Sequence, residues 1–329
     1  MHILVTGARG FIGSSFIRYT LTNSFDCKIT AFCRDTNQLT KLRLEENRHI
    51  KEAGSRQFQL HYGDLLGDIS GLCEGIDIVV NFAAKTFVDH SIRDPKPFFD
   101  TNMIGTLRLI EEARRQGVNK FIQISTDEVY GQILEGCYDE SAPINPRNPY
   151  AASKAAADAL VMSYTHTYGM WTAITRTENN YGYYQHPQKA IPVFVKAAMQ
   201  GLDIPVYGDG KHVRQWIEVR DHVRAIWHII KRSADLPAGE VWHVAGNEEI
   251  TNLDLATRII DLLKGNKSQV KLIDDRNIRP GHDRRYAISS AKLKQIGWSP
   301  KISFDDGLKD CVDWYYNNSA SWLGVKWGG

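Results

Sequence analysis

His2-Ile3-Leu4-Val5-Thr6-Gly7-Ala8-Arg9-Gly10-Phe11-Ile12-Gly13 opens the chain, and its reading decides the fold. His2 to Thr6 has the apolar run of a short buried strand, and Ser14 to Leu21 continues as a helix. Between them, Gly7, Gly10 and Gly13 make a turn whose backbone can approach a pyrophosphate, while the helix start supplies N–H donors and a favourable dipole. Gly7, Arg9, Gly10, Phe11, Ile12 and Gly13 are therefore the candidate phosphate-side residues. A glycine turn alone is weak evidence. Its place at the head of an alternating strand and helix pattern gives it force.

That pattern continues. Lys28 to Phe32 reads as a second strand, Phe58 to Tyr62 as a third, Ile76 to Ala84 as a fourth, Lys120 to Ser125 as a fifth and Trp171 to Arg176 as a sixth. Asp100 to Gln116 is an amphipathic helix between the fourth and fifth, and Glu240 to Ala245 looks like a strand returning late to the sheet. Such alternation predicts an α/β fold with a doubly wound parallel Rossmann sheet and ligands across the carboxyl ends of its strands. The pattern loosens after residue 178, where Tyr, Pro and Gly punctuate Tyr181 to Pro192. The expected division is a dinucleotide-binding domain over 1–178, rejoined by the strand near 240–245, and a smaller C-terminal α/β substrate-binding domain over 179–329.

In this architecture the residue just past the second strand reads the adenosine ribose, an acid implying NAD and a base implying NADP. Here the stretch is Cys33-Arg34-Asp35. Cys33 cannot replace a carboxylate, Arg34 is placed to hold a 2′-phosphate with help from Arg9, and Asp35 pulls the other way. The reading favours NADP(H), with NAD(H) the alternative. Past the third strand, Asp64 could meet the adenine amino group with Leu65 beside it, and the small Ala83-Ala84 end of the fourth strand lets a cofactor lie close.

Composition sets the remaining bounds. Forty Lys and Arg against thirty-eight Asp and Glu give +2, which does not suggest a nucleic-acid binder. Cys27, Cys33, Cys73, Cys137 and Cys311 are odd in number and show no metal-ligand spacing. Neither a signal peptide nor an apolar run of about 20 residues appears, so no membrane partner and a cytoplasmic setting are expected.

Two stretches carry chemistry. In Tyr150-Ala151-Ala152-Ser153-Lys154, Asn148 can cap a helix that Pro149 begins and Gly169 ends. Tyr150 and Lys154 then share a face, and an adjacent ammonium favours the ionised phenol. Such a pair suits taking a hydroxyl proton while hydride leaves the carbon, although any helix can carry Tyr and Lys at this spacing. The second stretch, Ser125-Thr126-Asp127-Glu128-Val129-Tyr130-Gly131, sets two carboxylates at a strand's carboxyl end. Adjacent acids shift one another, leaving one protonated and one ionised, which suits elimination of water. Further on, Arg279, His282, Arg284 and Arg285 cluster around Pro280-Gly281, as a solvated face or as a grip on a diphosphate.

With these stretches in view, the chain resembles the extended short-chain dehydrogenases/reductases and, within them, the nucleotide-sugar 4,6-dehydratases, the dTDP-glucose branch above all. The matching segments run nearly end to end and include Asn81-Phe82-Ala83-Ala84, Asn179-Asn180-Tyr181-Gly182, Arg214-Gln215-Trp216 and Arg279 to Tyr286. The resemblance implies that Tyr150, assisted by Lys154 and Thr126, removes the C4 hydroxyl proton of a sugar nucleotide. Glu128 would then take the C5 proton as Asp127 protonates the departing C6 hydroxyl. Asn179 and Arg214 match positions that contact the diphosphate, and Lys189, Arg279 and His282 are further candidates for that contact. The resemblance further implies a homodimer through the Asp100 and Tyr150 helices. The chain departs from the dTDP-glucose pattern at Lys85-Thr86-Phe87, His90 and Glu178, the last where a small residue is usual. Lys85 and Glu178 are thus candidate substrate residues, and a hexosamine nucleotide is an alternative substrate. An oxidoreductase acting on a 5,6-ene and a 4-epimerase are the alternative activities; an epimerase would not need Asp127 and Glu128.

Overall fold

The structure, a computed structural model, describes residues 1–23, 26–34, 41–44, 47–263 and 268–324. Its first six strands are β1 (His2–Thr6), β2 (Lys28–Cys33), β3 (Phe58–Tyr62), β4 (Ile78–Asn81), β5 (Lys120–Thr126) and β6 (Trp171–Thr177). Six more follow: β7 (Asn179–Tyr181), β8 (Ile204–Tyr207), β9 (Val213–Glu218), β10 (Glu240–Val244), β11 (Glu249–Thr251) and β12 (Val270–Ile273). Seven of them form one sheet in the order β10-β6-β5-β4-β1-β2-β3, and every pairing in it is parallel. The order reverses between β1 and β4, the place where such sheets open a crevice for ligands.

Burial on both faces explains the apolar strands. Ile3 and Val5 of β1 point into one core with Phe16, Ile226 and Trp227, while Leu4 points into the opposite core with Phe121, Leu109 and Ile174. The helix Val219–Arg232 presents Val219, Val223, Ile226, Trp227 and Ile230 on one buried face. It packs on the helix Phe11–Thr22, where Trp227 stacks on Phe16 with centroids 5.7 Å apart and donates to the Thr20 hydroxyl at 2.6 Å. A third core, around Phe194, Trp216, Phe304 and Trp322, lies among the later elements. There β7, β9 and β11 make a small sheet and β8 pairs with β12. Among the described residues no helix is long and apolar enough to cross a membrane.

Two expected elements differ in detail. β4 is shorter than the apolar run Ile76 to Ala84. Its flank is taken by Asp77, which accepts from the His2 N–H at 2.7 Å, and beyond Asn81 the chain leaves the ladder to cross Gly7. The helix expected from Asp100 begins as a π-helical turn, Asp100–Ile104, and becomes regular at Gly105. Such turns arise where a side chain is held elsewhere. Here the buried Asn102 accepts from the Lys85 N–H at 2.8 Å and donates to the Lys85 carbonyl at 3.1 Å and to Ser153 Oγ at 2.8 Å. It thereby fastens the start of the cleft wall to the Tyr150 helix.

Candidate active site

The carboxyl ends of β1, β4, β5 and β6 open into a cleft of about 610 Å³ that continues toward β8 and β9. β5 ends at Thr126, and the chain turns at once into a single 3-10 turn, Asp127–Tyr130. Thr126 caps that turn, its hydroxyl accepting from the Glu128 N–H at 3.3 Å. The helix Pro149–Tyr168 starts as its sequence predicts. Asn148 Oδ1 accepts from the Ala151 N–H at 2.9 Å, Pro149 fills the first turn, and Gly169 ends the helix at φ 66°. The other end of the Asn148 amide donates to Glu128 Oε2 at 3.1 Å. One side chain thus begins the helix and holds the acid.

Tyr150 and Lys154 lie on the cleft wall and are 8% and 3% exposed. The Thr126 side chain lies beside the Tyr150 hydroxyl and draws its titration down, and Lys154 Nζ donates to the Ile124 carbonyl at 2.6 Å. The sequence predicts that Lys154 draws the phenol toward ionisation; the structure reverses that. Burial, and then the Glu128 carboxylate, push Tyr150 above its ordinary value. Burial also pushes Lys154 down to about 8, with Asp158 one turn along the helix opposing. Loss of water disfavours both charged forms and is the largest cause at each.

Both acids are raised, and burial rather than their adjacency is the first cause for each. Burial, and then Glu128, push Asp127 up to about 7. Glu128 is raised as well, chiefly by burial, with Asn148 and Arg214 opposing. Glu128 is on the cleft wall; Asp127 lies behind it, 6% exposed, its Oδ1 accepting from the Thr126 hydroxyl at 3.2 Å. A carboxyl raised in the fold stabilises the protein least above its folded value, because the unfolded chain ionises at about 4. Stability tied to Asp127 is therefore full below about pH 4 and lost as pH rises through about 7. Asp127→Asn should melt above wild type at about pH 8.5, by up to about 4 kcal/mol, and the gap should close by about pH 4. Thermal melts at the two pH values check this, and equal gaps at both would refute it.

A third acid, Glu178, sits 3% exposed on the same wall between β6 and β7. One oxygen accepts from the Gly246 N–H, and the other is buried with no hydrogen-bond partner. Burial raises this carboxyl well above its ordinary value, with the Gly246 N–H opposing.

Toward β8 and β9 the wall is basic. Arg214, 8% exposed, donates to the Val213 carbonyl at 2.7 Å and the Asp283 carbonyl at 3.0 Å and lies over the Tyr286 ring. It also meets His282 Nε2 at 3.0 Å. A guanidinium only donates, so that nitrogen accepts and His282 Nδ1 carries the hydrogen given to Asp275 at 2.7 Å. His212 stacks on His282 at 4.2 Å, and His212, Asp275 and His282 lie close enough to hold an ion. The lone pair of His282 is already turned to Arg214, which argues for a hydrogen-bonded stack. Arg279 pairs with Asp89, at 3.3 Å through Nη2. Lys189 donates to the Thr86 carbonyl at 3.1 Å and lies over Phe87.

The structure sorts the predicted residues. Gly7, Gly10, Phe11, Ile12, Gly13, Ala84, Thr126, Glu128, Tyr150, Lys154, Glu178, Asn179, Lys189, Arg214, Arg279 and His282 all line the one cleft. Lys85 does not: the wall passes from Ala84 to Thr86, and Asn102 grips the Lys85 backbone from both sides. Leu65 is core, packed under Gly105, and Ala83 lies behind the wall against Gly7. Arg9 is 3% exposed, donating to the Tyr62 hydroxyl at 2.7 Å. Arg34 meets Asp64 at 3.7 Å, both about half exposed. Asp35 falls outside the described residues. Arg284 and Arg285 are tied to Asp209 and Glu249, away from the cleft. Sequence reasoning missed Trp216, Tyr207 and Arg43, all on the wall; Trp216 was legible in Arg214-Gln215-Trp216, whereas Arg43 stands in no motif.

Comparison with known proteins agrees with this geometry. The family described as GDP-mannose 4,6 dehydratase matches residues 4–311. The low-salt glycan biosynthesis protein Agl12 of Haloferax volcanii is 43% identical over 319 residues, covering 96% of this chain and 98% of that protein. The dTDP-glucose 4,6-dehydratase of Streptomyces niveus is 41% identical over 333 residues, covering 99% and 96%. Among solved structures, the Streptomyces venezuelae dTDP-glucose 4,6-dehydratase with NAD bound superposes with a TM-score of 0.89 at 37% identity, covering 99% of this chain and all of that one. A Bacillus cereus UDP-glucuronic acid 4-epimerase reaches 0.88 at 26% identity, covering 96% and 99%.

Proposed function

The chain belongs to the GDP-mannose 4,6-dehydratase family within the extended short-chain dehydrogenases/reductases, and from that premise we propose that it is a nucleoside-diphosphate-sugar 4,6-dehydratase. The observation that carries the reading is Glu128 on the same cleft wall as Tyr150 and Thr126, with Asp127 behind it, both acids close enough to act on the phenol. Epimerases share the overall shape, but an epimerisation gives this carboxyl pair nothing to do.

The cleft fits a nicotinamide dinucleotide. Gly7 has φ 60°, and a Cβ there would come within 2.7 Å of the Phe82 and Ala83 backbone, so only a residue without a side chain lets the turn pack this closely at the mouth of the cleft, as a dinucleotide turn requires. Gly7, Gly10, Phe11, Ile12 and Gly13 would hold that end and Ala84, Tyr150 and Lys154 the other. When bound, the dinucleotide supplies the acceptor for hydride from C4 and its return to C6. Tyr150 takes the C4 hydroxyl proton, with the Thr126 hydroxyl fixing its oxygen. Once C4 is a carbonyl the C5 proton is acidic, and Glu128, held by Asn148, removes it. Asp127 passes a proton toward the departing C6 hydroxyl, so the sum of these steps is loss of one water. Arg214, Lys189 and Arg279 neutralise the substrate's diphosphate.

For the dinucleotide we take NAD rather than the NADP that Arg34 suggested. Cys33 removes the carboxylate that would exclude a 2′-phosphate, but Asp64 restores a negative charge beside Arg34. The solved neighbours from Streptomyces venezuelae and Bacillus cereus carry NAD. Titration with each cofactor should give NAD the tighter binding; a clear preference for NADP would overturn this choice. The function itself is tested by mass spectrometry on a panel of sugar nucleotides. A product lighter by about 18 mass units marks the elimination that the acids are arranged to perform, and an unchanged mass with turnover refutes it.

A further inference from the structure

Arg43 reaches the cleft from a segment that carries no recognisable motif, and among the described residues no acid pairs with this buried cation. Its guanidinium is 3% exposed. Nη1 donates to the Arg9 carbonyl, inside the glycine turn, at 2.9 Å. Nε donates to the Tyr184 carbonyl at 3.0 Å, and the plane lies over the Trp322 ring at 5.2 Å. The remaining nitrogen, Nη2, is buried with no hydrogen-bond partner, although Arg43 lines the cleft beside Gly10, Phe11 and Ile12.

A second guanidinium stands close by. Arg18 donates to the Ser14 and Ser15 hydroxyls and to the Arg43 carbonyl, and it lies over Tyr184. Among the described residues neither arginine forms an ion pair with a carboxylate. Burial, and for Arg43 the neighbouring Arg18, lower both below the ordinary guanidinium value, Arg43 to about 9 and Arg18 to about 10. Both therefore remain charged at neutral pH. A buried positive charge with a second, part-buried one beside it, and no carboxylate paired with either among the described residues, is costly unless an anion completes the site. The unpaired donor lies at the turn that accommodates a diphosphate, and that group brings two negative charges.

We propose that Arg43 is an anion-binding residue for the pyrophosphate of the dinucleotide, its guanidinium held at the glycine turn by Arg9, Tyr184 and Trp322 and giving Nη2 to a phosphate oxygen. This rests on the reading of the cleft as a dinucleotide site and adds to the turn's backbone donors a side chain from the segment after β2. Arg43 thus contributes to cofactor affinity rather than to the proton transfers.

The test is calorimetric titration of the full chain with ADP-ribose, which carries the pyrophosphate without the nicotinamide, and with adenosine, which lacks it. Arg43→Gln keeps neutral donors for the two carbonyls and removes the charge. It should bind ADP-ribose about 10- to 100-fold more weakly than wild type, the range for a lost charge-assisted hydrogen bond, and adenosine equally well. Undiminished ADP-ribose binding by Arg43→Gln overturns the proposal and leaves the dinucleotide site standing. Should Arg43→Gln fail to fold, Arg43→Lys decides: its ammonium keeps the charge without the fork. Binding within about ten-fold of wild type supports the anion role, and loss as deep as about 100-fold refutes it. Wild type that takes up neither ADP-ribose nor NAD removes the dinucleotide from the cleft and the proposal with it.

Discussion

Tyr150→Phe lowers kcat for the sugar nucleotide by about 10³-fold, the scale of a lost proton transfer in the rate-determining step, while cofactor affinity stays close to wild type. The phenol is the group on the cleft wall that Thr126 adjoins and that Lys154 flanks one turn away. Its removal deletes one hydroxyl from a buried site and leaves the Tyr150 N–H bond to Ser91 Oγ, 3.1 Å, untouched. The helix and the cofactor wall therefore persist without the base. Steady-state turnover read by product mass, with NAD binding measured in parallel, separates the two effects. Turnover within ten-fold of wild type would show that another group takes the proton. Burial raises Tyr150 in the fold, so the positive charge of an oxidised nicotinamide is needed to bring the phenol toward ionisation. Activity should accordingly rise with pH on the alkaline side.

The second large effect belongs to the acids. Asp127→Asn combined with Glu128→Gln keeps both shapes, removes both titrations and should stop water loss by about 10³-fold or more. Oxidation at C4 needs neither acid, so reduced nicotinamide absorbance should still appear when a sugar nucleotide is added. That split, hydride transfer retained and elimination gone, is what distinguishes a dehydratase from an epimerase on this fold. A double variant that still releases water at near the wild-type rate would remove the assignment of Glu128 and Asp127. One that loses the absorbance signal as well would place the acids in the first step. Asn148 donates to Glu128 at 3.1 Å, and a glutamine there can offer its carbonyl oxygen to the same N–H while Asn148 Oδ1 keeps the cap, so the helix start should survive the change.

Much of this was legible because the local rules and the tertiary structure agree. Val5 and Leu4 alternate between two cores as a strand buried on both faces requires, and Gly7 sits where only a residue without a side chain fits. The Asn148-Pro149 start and Gly169 end of the catalytic helix follow from capping chemistry and were readable to the residue. What escaped the sequence depends on long-range neighbours. Arg43 owes its place to Tyr184, 141 residues away, and no spacing announces that. Lys85 was assigned to the substrate by its position after Ala84, but a strand end fixes where the main chain runs, and Asn102 then decides which residues form the wall. The sign of the shift at Tyr150 was missed because it depends on burial, which only the packed cleft reveals. Past residue 178, β7 and β11 are only three residues long, too short for a pattern of alternation to stand out.

The shared amide of Asn148 has one more consequence. Fraying of the first helical turn, an opening much smaller than unfolding of the sheet, would release the carboxylate of Glu128 and swing Tyr150 away together. Warming the enzyme should therefore silence it while its circular dichroism is still that of the intact protein, so that heat inactivation measures the melting of a single cap.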